Sequence, residues 1–255
     1  MDRIATISAV SMPIVFLSLL VRKTTSACSS RWTHRAGSHT LGRALMTDEQ
    51  EIRAVIEGTA KFLQLIQQNP LVVEITSRAP QLELPDTWIV SGCLFQTAWN
   101  VLSGQPPTRG IKDYDLFYFD SSDLSAASEE EINRRGADLF SDLDCEIDIR
   151  NQARVHTWYE DEFGVRGYPR LEKSTDGIDN FLAVCCMVAI RPSGSREIDV
   201  YSPFGVDDIL DRVMRPNPWY PNAPVDFYNR KARRWRAMWP DLKVEPLQRS
   251  TLESD

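Results

Sequence analysis

The sequence predicts an α+β fold in which a mixed sheet is flanked by helices, and three observations predict it. Short β-rich runs alternate with helical periodicity in the order strand, helix, strand, helix, strand over residues 87–150. Further β character follows at residues 181–190 and 198–201. The composition, 42% hydrophobic and 25% charged over 255 residues, is that of a soluble globular chain long enough for one substantial core. No internal repeat or low-complexity tract competes with a single-domain reading.

Taken in order, residues 47–68 place Ile52, Val55, Ile56, Phe62, Leu63, Leu65 and Ile66 at near-helical spacing before Asn69-Pro70 stops the pattern. Thr47 with Gln50 three residues on has the pattern of a capping box. A second short helix over 71–79 leads to Asp86, and Thr87-Trp88-Ile89-Val90 is a strand that ends in a Ser91-Gly92 turn. Residues 93–102 form a helix with Leu94, Ala98 and Leu102 on one face, closed by Ser103-Gly104 with Pro106-Pro107 beyond. Residues 114–119 are the next strand. Ser128 opens an acidic helix through Glu129-Glu130-Glu131 to about Phe140, and residues 145–150 supply a third strand. A basic helix over 226–238 is terminated by Trp239-Pro240.

Charge divides the chain. Residues 1–45 hold six of the 29 Lys/Arg but a single acid, Asp2, so the acidic surplus falls on residues 46–255. That surplus repels phosphate backbones at long range, and extensive nucleic-acid binding is not expected. The leader is apolar from Ile4 to Val21 but interrupted by Thr6, Ser8, Ser11, Pro13 and Ser18. Three readings stay open for it: a signal peptide, a weak anchor, or a segment upstream of a mis-assigned start, the true one being Met46. Residues 1–45 are expected to be disordered, and residues 46–255 to form one domain, cytoplasmic and without a membrane span unless the leader directs otherwise. Five cysteines in no metal or disulfide spacing, three of them (Cys93, Cys185, Cys186) among apolar neighbours, read as buried free thiols.

Chemistry points to carboxylates. His156 is the only histidine outside the leader, which argues against multi-histidine zinc sites and most histidine-dependent triads. In Lys112-Asp113-Tyr114-Asp115-Leu116 two aspartates stand two apart on a strand and so face one side. Such a pair is costly without a cation, and Mg²⁺ suits it, binding through one or two carboxylates plus substrate phosphates. Upstream, a strand that runs through Ser91-Gly92 into a helix presents N–H donors to a phosphate. No Walker or dinucleotide glycine motif is present.

With these residues in place, Val90-Ser91-Gly92-Cys93-Leu94, the helix, Gly104, Pro107 and Lys112-Asp113-Tyr114-Asp115-Leu116 resemble the head of tRNA CCA-adding enzymes and bacterial poly(A) polymerases. Those share the DNA polymerase beta-type nucleotidyltransferase fold. Gln96-Thr97-Ala98-Trp99-Asn100, the motif from Asn151 through Gln152, Ala153, Arg154 and Val155 to His156, and Pro203-Phe204-Gly205 are similar to a bacterial nucleotidyltransferase-like family over about residues 50–240. Ser91-Gly92 stands where CCA-adding enzymes have Gly-Gly, and Phe95-Gln96 where they have Arg-Asp, a departure at the residues tied to RNA-end specificity.

The resemblance implies a Mg²⁺-dependent transfer of a nucleoside monophosphate from an NTP to a hydroxyl acceptor with release of pyrophosphate, while the departures at Ser91-Gly92 and Phe95-Gln96 and the acidic surplus favour a small acceptor. It implies catalytic, metal-holding carboxylates at Asp113, Asp115 and a third on a neighbouring strand: Asp148, with Asp199 as the alternative and Glu146 on the same face as Asp148. It implies nucleotide contacts from Ser91, Gly92, Lys112, Asn151, Gln152, Arg154 and His156. The cluster Arg230, Lys231, Arg233, Arg234 and Arg236 is either a polyphosphate grip or a solvated helix face, while Trp235 and Trp239 read as packing residues. Two rivals stand beside this reading: a catalytically degenerate head that only binds a nucleotide or metabolite, and an interaction protein.

Overall fold

The computed structural model describes residues 48–193, 197–220 and 223–247. The expectations for residues 1–45, for a start at Met46 and for Thr47 as a cap lie outside the described residues.

Two helices precede the sheet, α1 (Asp48–Ile66) and α2 (Pro70–Arg78). Between them Asn69 is fully buried. Its Oδ1 accepts from the Leu71 and Val72 N–H groups, capping α2 just ahead of a proline at the first helical position. Its Nδ2 donates to Thr97 Oγ1 at 2.8 Å and to the Tyr114 hydroxyl at 3.1 Å. A single buried amide thus ties the entry of α2 to the helix and strand that carry the site, and each partner left unpaired would cost about 1–3 kcal/mol.

The sheet comprises β1 (Trp88–Val90), β2 (Asp113–Tyr118), β3 (Glu146–Asn151), β4 (Ala189–Pro192) and β5 (Ile198–Tyr201), in the order β3-β2-β1-β4-β5. β2 and β3 run parallel, joined across α4 (Ala126–Leu139), and the other pairs are antiparallel, with α3 (Gly92–Leu102) linking β1 to β2. This is the mixed, helix-flanked sheet that the alternation of elements predicts. Along β2 the period of two buries Tyr114, Leu116 and Tyr118 in the core and turns Asp113, Asp115 and Phe117 the other way. At the β3 edge the Asn133 side chain donates to the Ile149 carbonyl at 3.0 Å and accepts from its N–H at 3.2 Å. A side-chain amide there replaces a missing strand and closes the edge.

Two boundaries differ from the sequence expectation. The acidic helix opens at Ala126 rather than Ser128, because Ser125 is the cap and accepts from the Ser128 N–H. The expected β run at 181–190 yields strand only from Ala189. Residues Val184–Cys186 wind into a 3-10 turn, since Ala183 bridges Pro216 and the Val184 N–H goes to the Arg215 carbonyl.

The remaining elements are α5 (Tyr159–Phe163), α6 (Ser174–Asp179), α7 (Asp207–Leu210), β6 (Val213–Met214), α8 (Val225–Met238) and β7 (Lys243–Val244), with β6 and β7 paired in parallel. α8 docks on α3 through edge-to-face rings: Phe95 meets Trp235 at 5.0 Å, and Trp99 meets Trp235 at 5.8 Å and Trp239 at 5.2 Å. Such pairs add about 0.5–1.5 kcal/mol each beyond burial. The Trp99 and Trp239 indoles are satisfied by the Ile209 carbonyl and Asn100 Oδ1, both at 3.0 Å. Trp235 and Trp239 are therefore packing residues, as their spacing suggested. Cys93, Cys185 and Cys186 are buried. No helix among the described residues is long and apolar enough to cross a membrane.

Candidate active site

Where β1 ends, Ser91 adopts φ 54 and ψ −108, a left-handed conformation that costs a non-glycine residue energy and is held by its surroundings. Its N–H donates to the Val188 carbonyl at 2.8 Å, and its own carbonyl accepts from Leu94 and Phe95. The chain thereby turns sharply into α3, whose first N–H groups have no intrahelical acceptor and point their partial positive charge at the turn. A side chain at Gly92 would bring its Cβ to 3.2 Å from Gln96 Nε2, so glycine keeps this turn open.

The carboxylates gather next to it. Asp115 pairs with Val90 on one side and stands opposite Asp148 on the other, while Asp113 is opposite Glu146. The four acids share a face of the sheet because the register is in step and the side-chain period is two. Burial raises the Asp115 pKa first, the charges of Asp113 and Asp148 push it further, and Lys231 and Arg150 oppose them, leaving it at about 7. Asp148 is held by Arg150, whose Nε lies 2.8 Å from its Oδ1 and whose guanidinium sits 5.8 Å over the Trp158 ring. Glu146 is exposed. Asp199 is not brought here: it lies on β5, three strands from β2, bonded to Arg191 at 3.1 Å. Among the described residues no three His, Cys, Asp or Glu side chains form a ready-made metal cage. The donor set still fits Mg²⁺, a hard ion that takes oxygen ligands and completes its shell with water and substrate phosphate around one or two carboxylates such as Asp113 and Asp115.

Asp113, Asp115 and Arg150 line a cleft of about 400 Å³ together with Ser91, Gly92, Lys112 and Gln152, whereas Asp148, paired with Arg150, is not among its lining residues. α8 lines the cleft as well, through Lys231 and Arg234, as do the aromatic side chains of Trp158, Tyr159, Phe163 and Tyr168. Lys112, Lys231 and Arg234 form no ion pair among the described residues, whereas Arg78, Arg134, Arg150 and Arg191 are matched to carboxylates. The unmatched positive charge faces the cleft. Gln152 owes its place to Gly177, where a Cβ would collide with the Gln152 amide.

Asn151, Arg154 and His156 do not line the cleft. The Asn151 amide bridges the Asp120 N–H and carbonyl, and Arg154 is paired with buried Glu129, whose other oxygen accepts the Asn151 N–H. Sequence reasoning missed the aromatic end: Tyr159 and Tyr168, ring centroids 4.0 Å apart, come from a stretch whose dense aromatic content was its only signal. Of the buried side-chain polar atoms without a hydrogen bond among the described residues, Asp208 Oδ2 is ion-paired with Arg215, and three of the other four belong to cleft residues: Gln96 Oε1, Trp158 Nε1 and Trp235 Nε1. Unsatisfied buried groups concentrated in a cleft point to a ligand that satisfies them.

Comparison with known proteins bears on this geometry. A family model described as nucleotidyltransferase matches residues 77–244. A search of curated proteins finds no match. An NMR structure described as revealing a CCA-adding enzyme head domain aligns with TM-score 0.61 and 21% identity, over 73% of this chain and 95% of that one. Two structures of a tRNA-processing enzyme, an apo form and one with CTP, align at TM-scores of 0.42 and 0.36 with 14% and 17% identity, and this chain spans less than half of either. The five-stranded mixed sheet and its flanking helices are thus those of a polymerase beta-type head, in agreement with the resemblance carried by the Ser-Gly turn and the paired aspartates. With the model match running from the end of α2 to β7, through every strand of the sheet, the chain belongs to the nucleotidyltransferase family.

Proposed function

We propose that the cleft transfers a nucleoside monophosphate from an NTP to a hydroxyl group of a small acceptor. The observation that carries this reading is the in-register placement of Asp115 opposite Asp148, with Asp113 on the same face, beside the open Ser91-Gly92 turn. Asp113 and Asp115 would hold Mg²⁺, with Asp148 as the third carboxylate, and the ion would supply positive charge beside the phosphates. The first turn of α3 and the cations Lys112, Lys231 and Arg234 hold the triphosphate from two sides. Asp148, oriented by Arg150, takes the proton of the acceptor hydroxyl as its oxygen bonds to the α-phosphorus. The bond from that phosphorus to the bridging oxygen breaks, and pyrophosphate leaves.

The acceptor is small because the cleft is of nucleotide size and the acidic surface opposes a polyanion. One observation favours a second reading, a head that binds a nucleotide without transferring it: the Asp148–Arg150 pair engages the carboxylate that would take the proton. Pyrophosphate release separates the two. The full chain is offered each of the four NTPs with Mg²⁺ and a metabolite extract, beside its Asp113→Asn, Asp115→Asn variant. Release by the unsubstituted chain alone supports transfer. Nucleotide binding without release supports the second reading, and absence of binding overturns both.

A further inference from the structure

Gln96 sits one turn into α3, directly behind Gly92, and is only 6% exposed. Among the described residues its side chain makes no hydrogen bond, and its Oε1 is fully buried without a partner. A buried amide in this state is costly, on the scale of a lost hydrogen bond, so it persists only where something else supplies a donor. Its neighbours do not: Phe95, Trp99 and Trp235 pack around this part of α3, and the indole N–H of Trp235 is itself unpartnered. The residue lines the cleft, and its amide nitrogen lies 3.2 Å from where a Cβ on Gly92 would stand.

We infer that Gln96 is a specificity-determining residue that accepts a hydrogen bond from a sugar hydroxyl of the bound nucleotide, and so selects ribonucleotides. The inference rests on the nucleotide reading above and adds to it the choice of sugar. Its logic is one of position and donor chemistry. The Ser91-Gly92 turn receives phosphate, and phosphate oxygens offer no proton to a carbonyl. The next group along a nucleotide is the ribose, whose 2′- and 3′-hydroxyls are the nearest donors. A site built to pair a substrate hydroxyl rejects the analogue that lacks it, because the site's own buried polar group is then left unpaired.

The experiment is titration calorimetry on the full chain with Mg²⁺ and each of the four NTPs, repeated with the 2′-deoxy and 3′-deoxy forms, on the unsubstituted protein and on Gln96→Met. The ribonucleotide is expected to bind about 10-fold more tightly than at least one deoxy analogue. In Gln96→Met that ratio falls to within about twofold, by weaker binding of the ribonucleotide alone, while thermal stability holds or rises because a buried unsatisfied atom has been removed. Gln96→Glu, which keeps an acceptor oxygen in place, retains the preference. Equal binding of ribo- and deoxynucleotides by the unsubstituted chain overturns the inference without recourse to any variant. So does a ratio unchanged in Gln96→Met, or a variant that loses ribo and deoxy forms alike. Absence of all nucleotide binding overturns the nucleotide reading beneath it.

Discussion

Asp115 and Asp148 stand directly opposite one another in the parallel register of β2 and β3, a pairing of like charges that an unliganded protein holds at a cost. Burial and the two neighbouring carboxylates raise the Asp115 pKa to about 7, against an ordinary value near 3.8. A carboxylate raised in the folded state favours folding while protonated and loses that advantage as pH climbs. Stability in the absence of a divalent ion is therefore expected to fall from about pH 4 to pH 7, by an amount on the order of 4 kcal/mol or less. Thermal melts should show Asp115→Asn matching the parent chain at pH 4 and melting higher than it at pH 8. An Asn variant less stable at pH 8 would remove the argument for a strained carboxylate cluster.

Lys231 and Arg234 reach the cleft without a carboxylate partner, and their loss should be felt by the ligand rather than the fold. Lys231→Ala and Arg234→Ala are each expected to weaken NTP binding about 10-fold, in line with a charged hydrogen bond of about 1.5–3 kcal/mol, with little change in melting temperature. Titration with NTP at two salt concentrations checks this. Unchanged affinity in both variants would return the cluster to the solvated helix face that the sequence also allows.

Arg154 carries a contrasting expectation. Its partner Glu129 is 5% exposed and also receives the Asn151 N–H, so Arg154→Ala leaves a buried carboxylate whose charge only Arg150, 4.0 Å away, offsets. Chemical denaturation should show a loss of about 3–5 kcal/mol. A variant of full stability but weakened NTP binding would instead assign Arg154 to the ligand.

Asn69 is expected to behave as a structural keystone. Asn69→Ala removes the α2 cap and leaves Thr97 and the Tyr114 hydroxyl short of a donor, for a loss of about 2–4 kcal/mol by denaturant midpoint. Thr97 retains its bond to the Cys93 carbonyl at 2.6 Å, which caps the damage.

The contact of α4 with β3 is tight enough to test by addition. A methyl at Gly136 would collide with the Ile149 Cδ1, so Gly136→Ala should cost about 1–3 kcal/mol. Ile149→Val, which deletes that carbon, should restore part of the loss in the double variant, giving a coupling that denaturation of all four proteins measures.

How far the site was legible can be followed residue by residue. The same-face placement of Asp113 and Asp115 follows from strand parity, which is a local property. So does the Ser91-Gly92 turn between a β run and a helical run. Asp148 was reachable from topology, as the acid on the strand after the acidic helix, but Asp199 stayed open as the alternative because a one-dimensional sequence does not show strand order. The Asn151 to His156 motif divides for a similar reason: Gln152 lines the cleft, whereas Asn151 and Arg154, which look equally available in sequence, are engaged by Asp120 and Glu129, partners 31 and 25 positions away.

The sequence by itself determined the order of strands and helices, the shared face of the paired aspartates and the burial of Trp235 and Trp239, because each depends on periodicity or composition within a few turns of chain. Only the tertiary structure decided that Asp148 rather than Asp199 stands opposite Asp115, that Lys231 and Arg234 line the same cleft as Asp113 and Asp115, and that Gln96 Oε1 is buried without a partner. Those outcomes depend on sheet register and on the docking of α8 against α3 by contacts between residues more than a hundred positions apart, and the energies of both come from close packing that carries no local signature.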